Sequence, residues 1–147
     1  TTKGTGGEGI VIIEPGDEIV KAPLYTQYVP KIAEYRTHHC MGADLSSQRK
    51  ALKSEVENKT KATFRIQNLE NGFVFARNDG HELPDAVKNL CEEIKNNLGL
   101  DFYACDIIYN KYRDEAFLLE VNTAPGLEGS TLEEYCDAFN SYFEGLK

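Results

Sequence analysis

The chain has 147 residues, 41% of them hydrophobic, which is enough to bury one core of ordinary domain size. Its formal net charge of −8 argues against a broad surface for nucleic acid or anionic membranes, because such partners require clustered Lys and Arg. No apolar run approaches the roughly 18–20 residues of a membrane span and no secretory leader opens the chain, so we expect a cytoplasmic protein. The cysteines lack the C-x-x-C spacing of zinc or redox sites, and we expect reduced, mostly buried thiols at Cys40, Cys91, Cys105 and Cys136.

The first residues are rich in glycine, with Gly4, Gly6, Gly7 and Gly9 in front of the apolar run 10–13. Glycines let a loop bend tightly and bring backbone N–H groups close to phosphate oxygens. A flexible tail has the same composition, so both interpretations remain open. The Gly-Lys-Ser/Thr ending of a Walker loop and the full G-x-G-x-x-G fingerprint are both absent.

Two extended segments are predicted next. The apolar stretch 23–30 is bounded by prolines, which suits a strand at an edge or hinge. Glu34 and Arg36 lie two residues apart and so share one face of a following strand. A carboxylate at position 34 can accept hydrogen bonds from both ribose hydroxyls, and a guanidinium at position 36 can bind phosphate oxygens. An exposed Glu–Arg pair without a ligand is the structural alternative.

The charged stretch 43–62 predicts a solvated strand pair or loop. Residues 84–97 predict a helix that covers the sheet, because Pro84 suits a first turn, apolar residues recur at helical spacing and Gly99 is a stop signal. His38 and His39 alternate faces in an extended segment, so they cannot both point at one site.

A second helix is predicted to open at Ser130 with the capping-box pattern completed by Glu133. Its first turn follows the turn at Pro125 and Gly126. Unpaired N–H groups at a helix start favour an anion, so Gly126, Gly129 and Ser130 are candidates for holding a substrate carboxylate or a phosphate. Ser130 as a simple cap is the alternative.

Residues 103–109 and 116–122 predict a hairpin, because two runs rich in β-branched and aromatic residues flank a polar connection. If Asp106 lies opposite Glu120, alternation places Asp106, Glu120 and Asn122 on one face. We then expect the opposite, core face to carry the apolar side chains of Ile107, Leu119 and Val121. Two carboxylates that face each other need a compensating cation or proton; a cation is favoured, because hard oxygen ligands without sulfur or imidazole suit Mg²⁺. An exposed acidic face is the alternative.

The stretch 119–129, LEVNTAPGLEG, resembles the metal-binding and substrate-loop signature of the ATP-grasp carboxylate–amine ligases. It is most similar to the branch of ribosomal-protein glutamate ligases, the RimK-like branch. Three upstream segments resemble further elements of that family in the same order, namely 34–36, 64–72 and 98–106. The resemblance therefore covers nearly the whole chain.

The resemblance implies an α+β fold of the ATP-grasp type, in which helices cover an antiparallel-rich sheet. Residues 1–28 would form the end of the small lobe with its glycine-rich loop, and residues 29–147 the large lobe with the metal site. The family's N-terminal lobe is missing from this sequence and would come from the same or another chain. We accordingly expect these 147 residues alone to turn over slowly or not at all.

The family binds ATP and two Mg²⁺ ions, with Mn²⁺ as an alternative. The resemblance implies metal ligation by Asp106, Glu120 and Asn122, and orientation of an acyl phosphate by the catalytic residues Arg36 and Arg65. Gly126 and Ser130 would contact substrate. The residues implied to bind the nucleotide are Gly6, Gly7, Gly9, Gln27, Tyr28, Val29 and Glu34.

The implied activity is a peptide- or amide-bond-forming ligase, in which a substrate carboxylate is phosphorylated and an amine attacks the acyl phosphate. The partners are small-molecule or peptide carboxylates and amines, with no nucleic acid and no membrane. Two alternatives stay open at this point. One is a noncatalytic Mg-nucleotide-binding module, and the other is an ATP-grasp ligase of the cell-wall amino-acid type.

Overall fold

The computed structural model describes residues 9–53, 64–77 and 80–146. Its longer elements are three strands, a helix, two further strands and a second helix. In chain order they are β1 (Ala33–Cys40), β2 (Ala43–Leu52), β3 (Phe73–Ala76), α1 (Asp85–Leu98), β4 (Phe102–Asn110), β5 (Glu115–Asn122) and α2 (Ser130–Glu144).

The five strands form one sheet in the order β3-β2-β1-β4-β5. The pairs β1–β2, β1–β4 and β4–β5 are antiparallel. The predicted α+β fold with helices covering an antiparallel-rich sheet is confirmed. Because β1 is central and β4 lies beside it, residues from distant parts of the sequence meet in the middle of the sheet.

The residues group into two compact units along the chain. One comprises the described residues of Thr1–Pro30 and Ala51–Val74, and the other those of Lys31–Lys50 and Phe75–Lys147. These units have other bounds than the predicted lobes, 1–28 and 29–147, and the division into lobes stays a prediction.

Helix α1 covers one face of the sheet in the second unit. Alternate residues of β1 and β4 point to this face and bury their side chains against α1, so the core follows the period of two expected for strands. The helix follows Pro84 and ends at Gly99, whose φ of 59° is left-handed, as the sequence predicts. The buried core consists of Tyr35, Val87, Cys91, Ile94, Tyr103, Cys105 and Ile107.

Helix α2 packs on the opposite face of the sheet, against the residues of β1 and β4 whose side chains point away from α1. The ring of Tyr135 lies 4.7 Å from that of Phe102 and 5.7 Å from that of His38, measured between centroids. The predicted capping box is wrong: Gly129 is the N-cap, and the start of α2 has no side-chain cap hydrogen bond. The first helical turn therefore keeps backbone donors that no capping side chain satisfies.

In the other unit, the predicted strand at 23–30 is wrong, because the structure has no regular strand there. A strand requires a hydrogen-bonded neighbour, and Pro23 and Pro30 remove two donors. Hydrogen bonds between residues close in sequence stabilise part of this segment instead. Tyr25 accepts a hydrogen bond from the backbone N–H of Ala22 and donates one to the carbonyl of Val20, each at 2.9 Å. Across the described ranges, no helix has the length and apolar character needed to cross a lipid bilayer.

Candidate functional site

The centre of the site is the β4–β5 hairpin. Asp106 and Glu120 are direct partners across this ladder, which is the register that the predicted metal site requires, and Asn122 pairs with Ala104. Glu120 and Asn122 lie on the same face, since the amide of Asn122 donates to Glu120 Oε1 at 2.9 Å. The hairpin therefore brings the three predicted metal ligands together on one face, and their role as ligands stays a prediction.

A β-bulge follows the Asp106–Glu120 pair, because Ile107 pairs with Leu118 and leaves Leu119 as the extra residue. Leu119 was expected in the core and is instead 53% exposed, so that expectation is wrong. Val121 packs against the core as predicted. Because of this extra residue, the side chains of β5 before Leu119 alternate out of phase with those from Glu120 onwards.

Arg36 lies opposite Asp106 on the other side of β4. Its Nε and Nη2 donate to Oδ1 and Oδ2 of Asp106 at 2.6 and 2.7 Å, which is a bidentate pair. The hydrogen bond to Asp106 raises the pKa of Arg36, while partial burial opposes the shift. The guanidinium also lies 4.3 Å from the ring centroid of Phe75. Arg36, Asp106 and Glu120 thus form a row of charges across three strands.

The residues present fit a hard cation in donor type, since two carboxylates and a carboxamide share one face. In this structure both oxygens of Asp106 accept hydrogen bonds from Arg36, so a cation and the guanidinium would share that carboxylate. Within ranges 9–53, 64–77 and 80–146, no group of three or more His, Cys, Asp or Glu side chains could hold a metal ion. Only two of the predicted metal ligands, Asp106 and Glu120, belong to these four residue types, because the third ligand is Asn122.

Glu34, the predicted ribose acceptor, is buried next to Arg36 along β1. Its Oε2 accepts from Lys31 Nζ at 2.6 Å, and its Oε1 accepts from Lys50. Lys50 also lies 4.9 Å from the ring centroid of Phe75. Sequence reasoning missed both lysines as partners of Glu34, and its role in ribose binding stays a prediction.

His38 is a further residue that sequence reasoning did not assign to the site. It follows Arg36 on the same face of β1, is 2% exposed, and places Nδ1 3.1 Å from the hydroxyl of Tyr135. Among the described residues, its Nε2 has no hydrogen-bond partner. Burial lowers the pKa of His38 to about 4, assisted by the positive charges of Arg36 and Arg77. The imidazole is therefore neutral at pH 7.

The predicted substrate residues Gly126 and Ser130 flank the start of α2. Gly129, between them, has a φ of 54°, and a Cβ at this position would lie 3.6 Å from Nη1 of Arg77. One residue into the helix, Thr131 is buried and its Oγ1 accepts from Gln48 Nε2 at 3.3 Å. Arg77 follows β3 directly, and sequence reasoning gave no signal for its place beside α2.

Arg65 belongs to the other unit. It forms an ion pair with Glu14, and this hydrogen bond raises the pKa of Arg65. Its guanidinium also lies 5.5 Å from the ring centroid of Tyr28. Arg65 and the predicted adenine contact Tyr28 are therefore neighbours, and the roles of both stay predictions.

The remaining predicted nucleotide contacts lie in the same unit. Gly9 is exposed with a φ of 77°, and Gln27 and Val29 lie in the segment without regular secondary structure. Gly6 and Gly7 lie outside the described residues.

A separate polar chain lies on the α1 face of the sheet. Thr37 Oγ1 is 2.8 Å from His39 Nε2 and 3.5 Å from Cys91 Sγ, and His39 Nδ1 is 2.9 Å from Asp44. These side chains serve as hydrogen-bond partners for one another.

All four cysteines are free and only Cys136 is exposed, which confirms the predicted buried thiols.

Over 76% of its length, the chain is similar in structure to a Chryseobacterium gregarium RiPP-associated ATP-grasp ligase in complex with ADP and a leader and core peptide. The TM-score is 0.45 and the sequence identity 16%, and the chain spans 33% of that protein's chain. No protein-family model matches the chain, and no curated protein matches it in sequence. At this similarity the residues themselves, rather than the neighbour, carry the functional argument.

Proposed function

We propose that this chain forms the nucleotide- and metal-binding portion of an ATP- and Mg²⁺-dependent carboxylate–amine ligase of the ATP-grasp family. The observation that carries the proposal is the pairing of Asp106 with Glu120, with Asn122 on the same face and Arg36 beside Asp106. The motif in 119–129 and its ordered upstream segments support the assignment to the family and to the ribosomal-protein glutamate ligase branch.

In this proposal Asp106, Glu120 and Asn122 hold the metal, and Mg²⁺ neutralises charge on the phosphate oxygens when bound. Arg36 presents a guanidinium on the same face, where its donors would be shared between Asp106 and the oxygens of a phosphate or an acyl phosphate. The substrate carboxylate attacks the γ-phosphorus of ATP to give the acyl phosphate and ADP. An amine then attacks the acyl carbon, phosphate leaves, and the amine loses a proton to give the amide.

The other predicted residues supply position rather than covalent chemistry. Gly9, Gln27 and Tyr28 contact the nucleotide from the lobe formed by 1–28. Val29, the first residue of the lobe formed by 29–147, does the same, and Arg65 binds the phosphates. Glu34, in the lobe formed by 29–147, binds the ribose with Lys31 and Lys50 as its counter-ions. The substrates are small-molecule or peptide carboxylates and amines, and the protein acts in the cytoplasm.

The proposal is tested by measuring ADP release from ATP and Mg²⁺ with a mixture of the common L-amino acids. From this chain alone we expect at most slow release, which depends on Mg²⁺ and which Glu120→Gln abolishes. Glu115→Gln is the matched control, because this residue lies at the far end of the same strand. Release that is unaffected by Glu120→Gln, or that persists in excess chelator, would contradict the metal assignment.

One observation favours a second candidate, a noncatalytic Mg-nucleotide-binding module. Both oxygens of Asp106 already accept hydrogen bonds from Arg36, an arrangement that a binding module without turnover can retain. Nucleotide binding by calorimetry without ADP release under any substrate mixture would support this candidate over the ligase.

A further inference from the structure

A cavity of about 280 Å³ lies between α1 and the strand pair β1–β2. Helix α1 packs more extensively on β4 and β5, and the cavity occupies the space beside it. Strand β2 has a bulge at this place, because Thr37 pairs with Ser47 and His39 with Asp44, which sets one residue of β1 opposite two of β2. Bulges redirect side chains and are common next to active sites.

The cavity leads from solvent to buried polar side chains. Its walls include Thr37, His39, Asp44, Lys88, Cys91 and Glu92. The side chains of Asp44, Lys88 and Glu92 are more than half exposed, whereas Thr37 and His39 are only 3% and 2% exposed. A small molecule can therefore enter past the charged side chains and reach the two buried ones.

The side chains of Asp44, His39 and Thr37 form a directed hydrogen-bond chain. His39 Nδ1 is 2.9 Å from Asp44 Oδ1, and His39 Nε2 is 2.8 Å from Thr37 Oγ1. Since a carboxylate can only accept, Nδ1 carries the ring proton and Nε2 accepts from the hydroxyl of Thr37. This is the arrangement of a hydroxyl nucleophile, a general base and a carboxylate that orients the base.

The surroundings of His39 suit a general base. Burial lowers its pKa, although the hydrogen bond to Asp44 opposes the shift, so the imidazole is mostly neutral at pH 7. The ring stacks on that of Tyr103 with centroids 4.7 Å apart, which restricts its orientation. A hydrogen-bond chain that only stabilised the fold would need no cavity at Thr37.

We propose that Thr37, His39 and Asp44 form a separate active site that hydrolyses small carboxylic esters. Thr37 and His39 lie on the face of β1 opposite to Arg36, so this site and the proposed metal site are on different faces of the sheet. The activity is additional to the proposed ligase and requires neither nucleotide nor metal.

In the first step Thr37 Oγ1 attacks the carbonyl carbon of the ester, and His39 Nε2 takes the hydroxyl proton. The bond to the leaving oxygen then breaks, and His39 transfers this proton to the departing alcohol. The ammonium of Lys88, at the cavity wall, provides positive charge for the oxyanion of the tetrahedral intermediate.

Water completes the cycle. His39 takes a proton from water, which attacks the acyl carbon on Thr37. The acyl–oxygen bond breaks, the proton returns to Oγ1, and the carboxylic acid leaves. Asp44 is a positioning residue, because it keeps the proton on Nδ1 and so leaves Nε2 free to act as the base.

The test measures p-nitrophenolate release from p-nitrophenyl acetate by the whole chain, with chelator and without nucleotide. We expect saturable hydrolysis, which Thr37→Val and His39→Gln should each reduce by about 10²-fold or more. Thr37→Ser should retain saturable hydrolysis, because it keeps a hydroxyl at this position. Asp44→Asn should lower kcat by about tenfold or more with little change in KM, since it disturbs the tautomer of His39 rather than the cavity.

Cys136→Ser is the control, because an exposed thiol can react with activated esters outside any site. This variant should hydrolyse the ester at the wild-type rate. A fluorophosphonate provides a second measurement on the wild type, since an activated hydroxyl displaces its fluoride and keeps a stable phosphonyl group. Mass spectrometry of the digested protein should locate this group on Thr37.

The inference is overturned if hydrolysis is not saturable, or if Thr37→Val or His39→Gln hydrolyses the ester as fast as the wild type. Should either variant fail to fold, a wild-type protein that the fluorophosphonate leaves unmodified at Thr37 overturns it instead. The ligase proposal is tested separately, because this assay contains neither ATP nor free Mg²⁺. Ester hydrolysis without nucleotide binding would contradict the ligase alone, and the reverse result would contradict the esterase alone.

Discussion

Arg36 and Asp106 face each other across β1 and β4 and are joined by hydrogen bonds of 2.6 and 2.7 Å. Asp106 in turn faces Glu120 across β4 and β5, so one guanidinium compensates the acidic end of the predicted metal site. Asp106 is 7% exposed, which makes the loss of its counter-ion costly. The stability of the central sheet and the proposed binding of a cation are therefore coupled through one carboxylate.

Replacing Arg36 by Gln should lower the free energy of unfolding by about 2–3 kcal/mol, because a largely buried carboxylate loses its partner. Mg²⁺ at millimolar concentration should restore part of the loss, since the cation can take over the compensation. Urea denaturation with and without Mg²⁺ measures both effects. Arg113→Gln is the control, with an expected change below about 0.5 kcal/mol for an exposed pair at 3.9 Å. An Arg36→Gln variant as stable as the wild type, or one indifferent to Mg²⁺, would refute the coupling.

Because of the bulge in β5, we expect the truncation of Ile107 and that of Leu119 to have very different effects on stability. Ile107 is fully buried against α1, so Ile107→Ala should cost about 2–5 kcal/mol through lost burial and a cavity. Leu119 is the exposed extra residue of the bulge, so Leu119→Ala should change stability by less than about 0.5 kcal/mol. Denaturant unfolding of the two variants provides the comparison. Equal losses would mean that the strands pair without the bulge.

The buried His38 predicts a loss of stability in acid. Burial lowers its pKa to about 4 in the folded protein, against about 6.5 in the unfolded chain. The unfolded state therefore binds the proton first as pH falls, so stability that is present above pH 6.5 is lost between about pH 6.5 and 4. His39, whose pKa is also lowered by burial, acts in the same direction.

We expect the wild type to lose about 2 kcal/mol of unfolding free energy through His38 between pH 7 and pH 4.5. The variant His38→Gln should show a correspondingly smaller loss over this interval, whatever its stability at pH 7. Urea denaturation at the two pH values measures the difference. Identical pH dependence in the two proteins would show that His38 is not kept neutral by burial.

The hairpin and α1 could be predicted from the sequence because their signals are local. Period-two alternation around a polar connection predicts the hairpin of β4 and β5, and Pro84 and Gly99 mark the limits of α1. The prediction of a strand at 23–30 was wrong because apolar residues alone do not provide a neighbouring strand. Local patterns therefore predicted the elements whose partners are close in sequence.

The parts of the site that sequence reasoning missed depend on partners far apart along the chain. Arg36 and Asp106 are 70 residues apart, and His38 and Tyr135 are 97 apart. Their contacts follow from the strand order, which places β4 beside β1. The bulge at Leu119 likewise depends on how two strands pair rather than on the composition of either one. The approach of Arg77 to Gly129 likewise joins the end of β3 to the start of α2.

The most direct measurement is calorimetric titration of a nonhydrolysable ATP analogue into this chain, with Mg²⁺ and with excess chelator. It is repeated with Asp106→Asn, Glu120→Gln and the control Glu115→Gln. The account predicts saturable binding that requires Mg²⁺ and weakens by about tenfold or more in the first two variants, which is about 1.4 kcal/mol or more. Equal affinity in all four proteins, or binding that is unchanged by the chelator, would contradict a metal–nucleotide site on the β4–β5 hairpin.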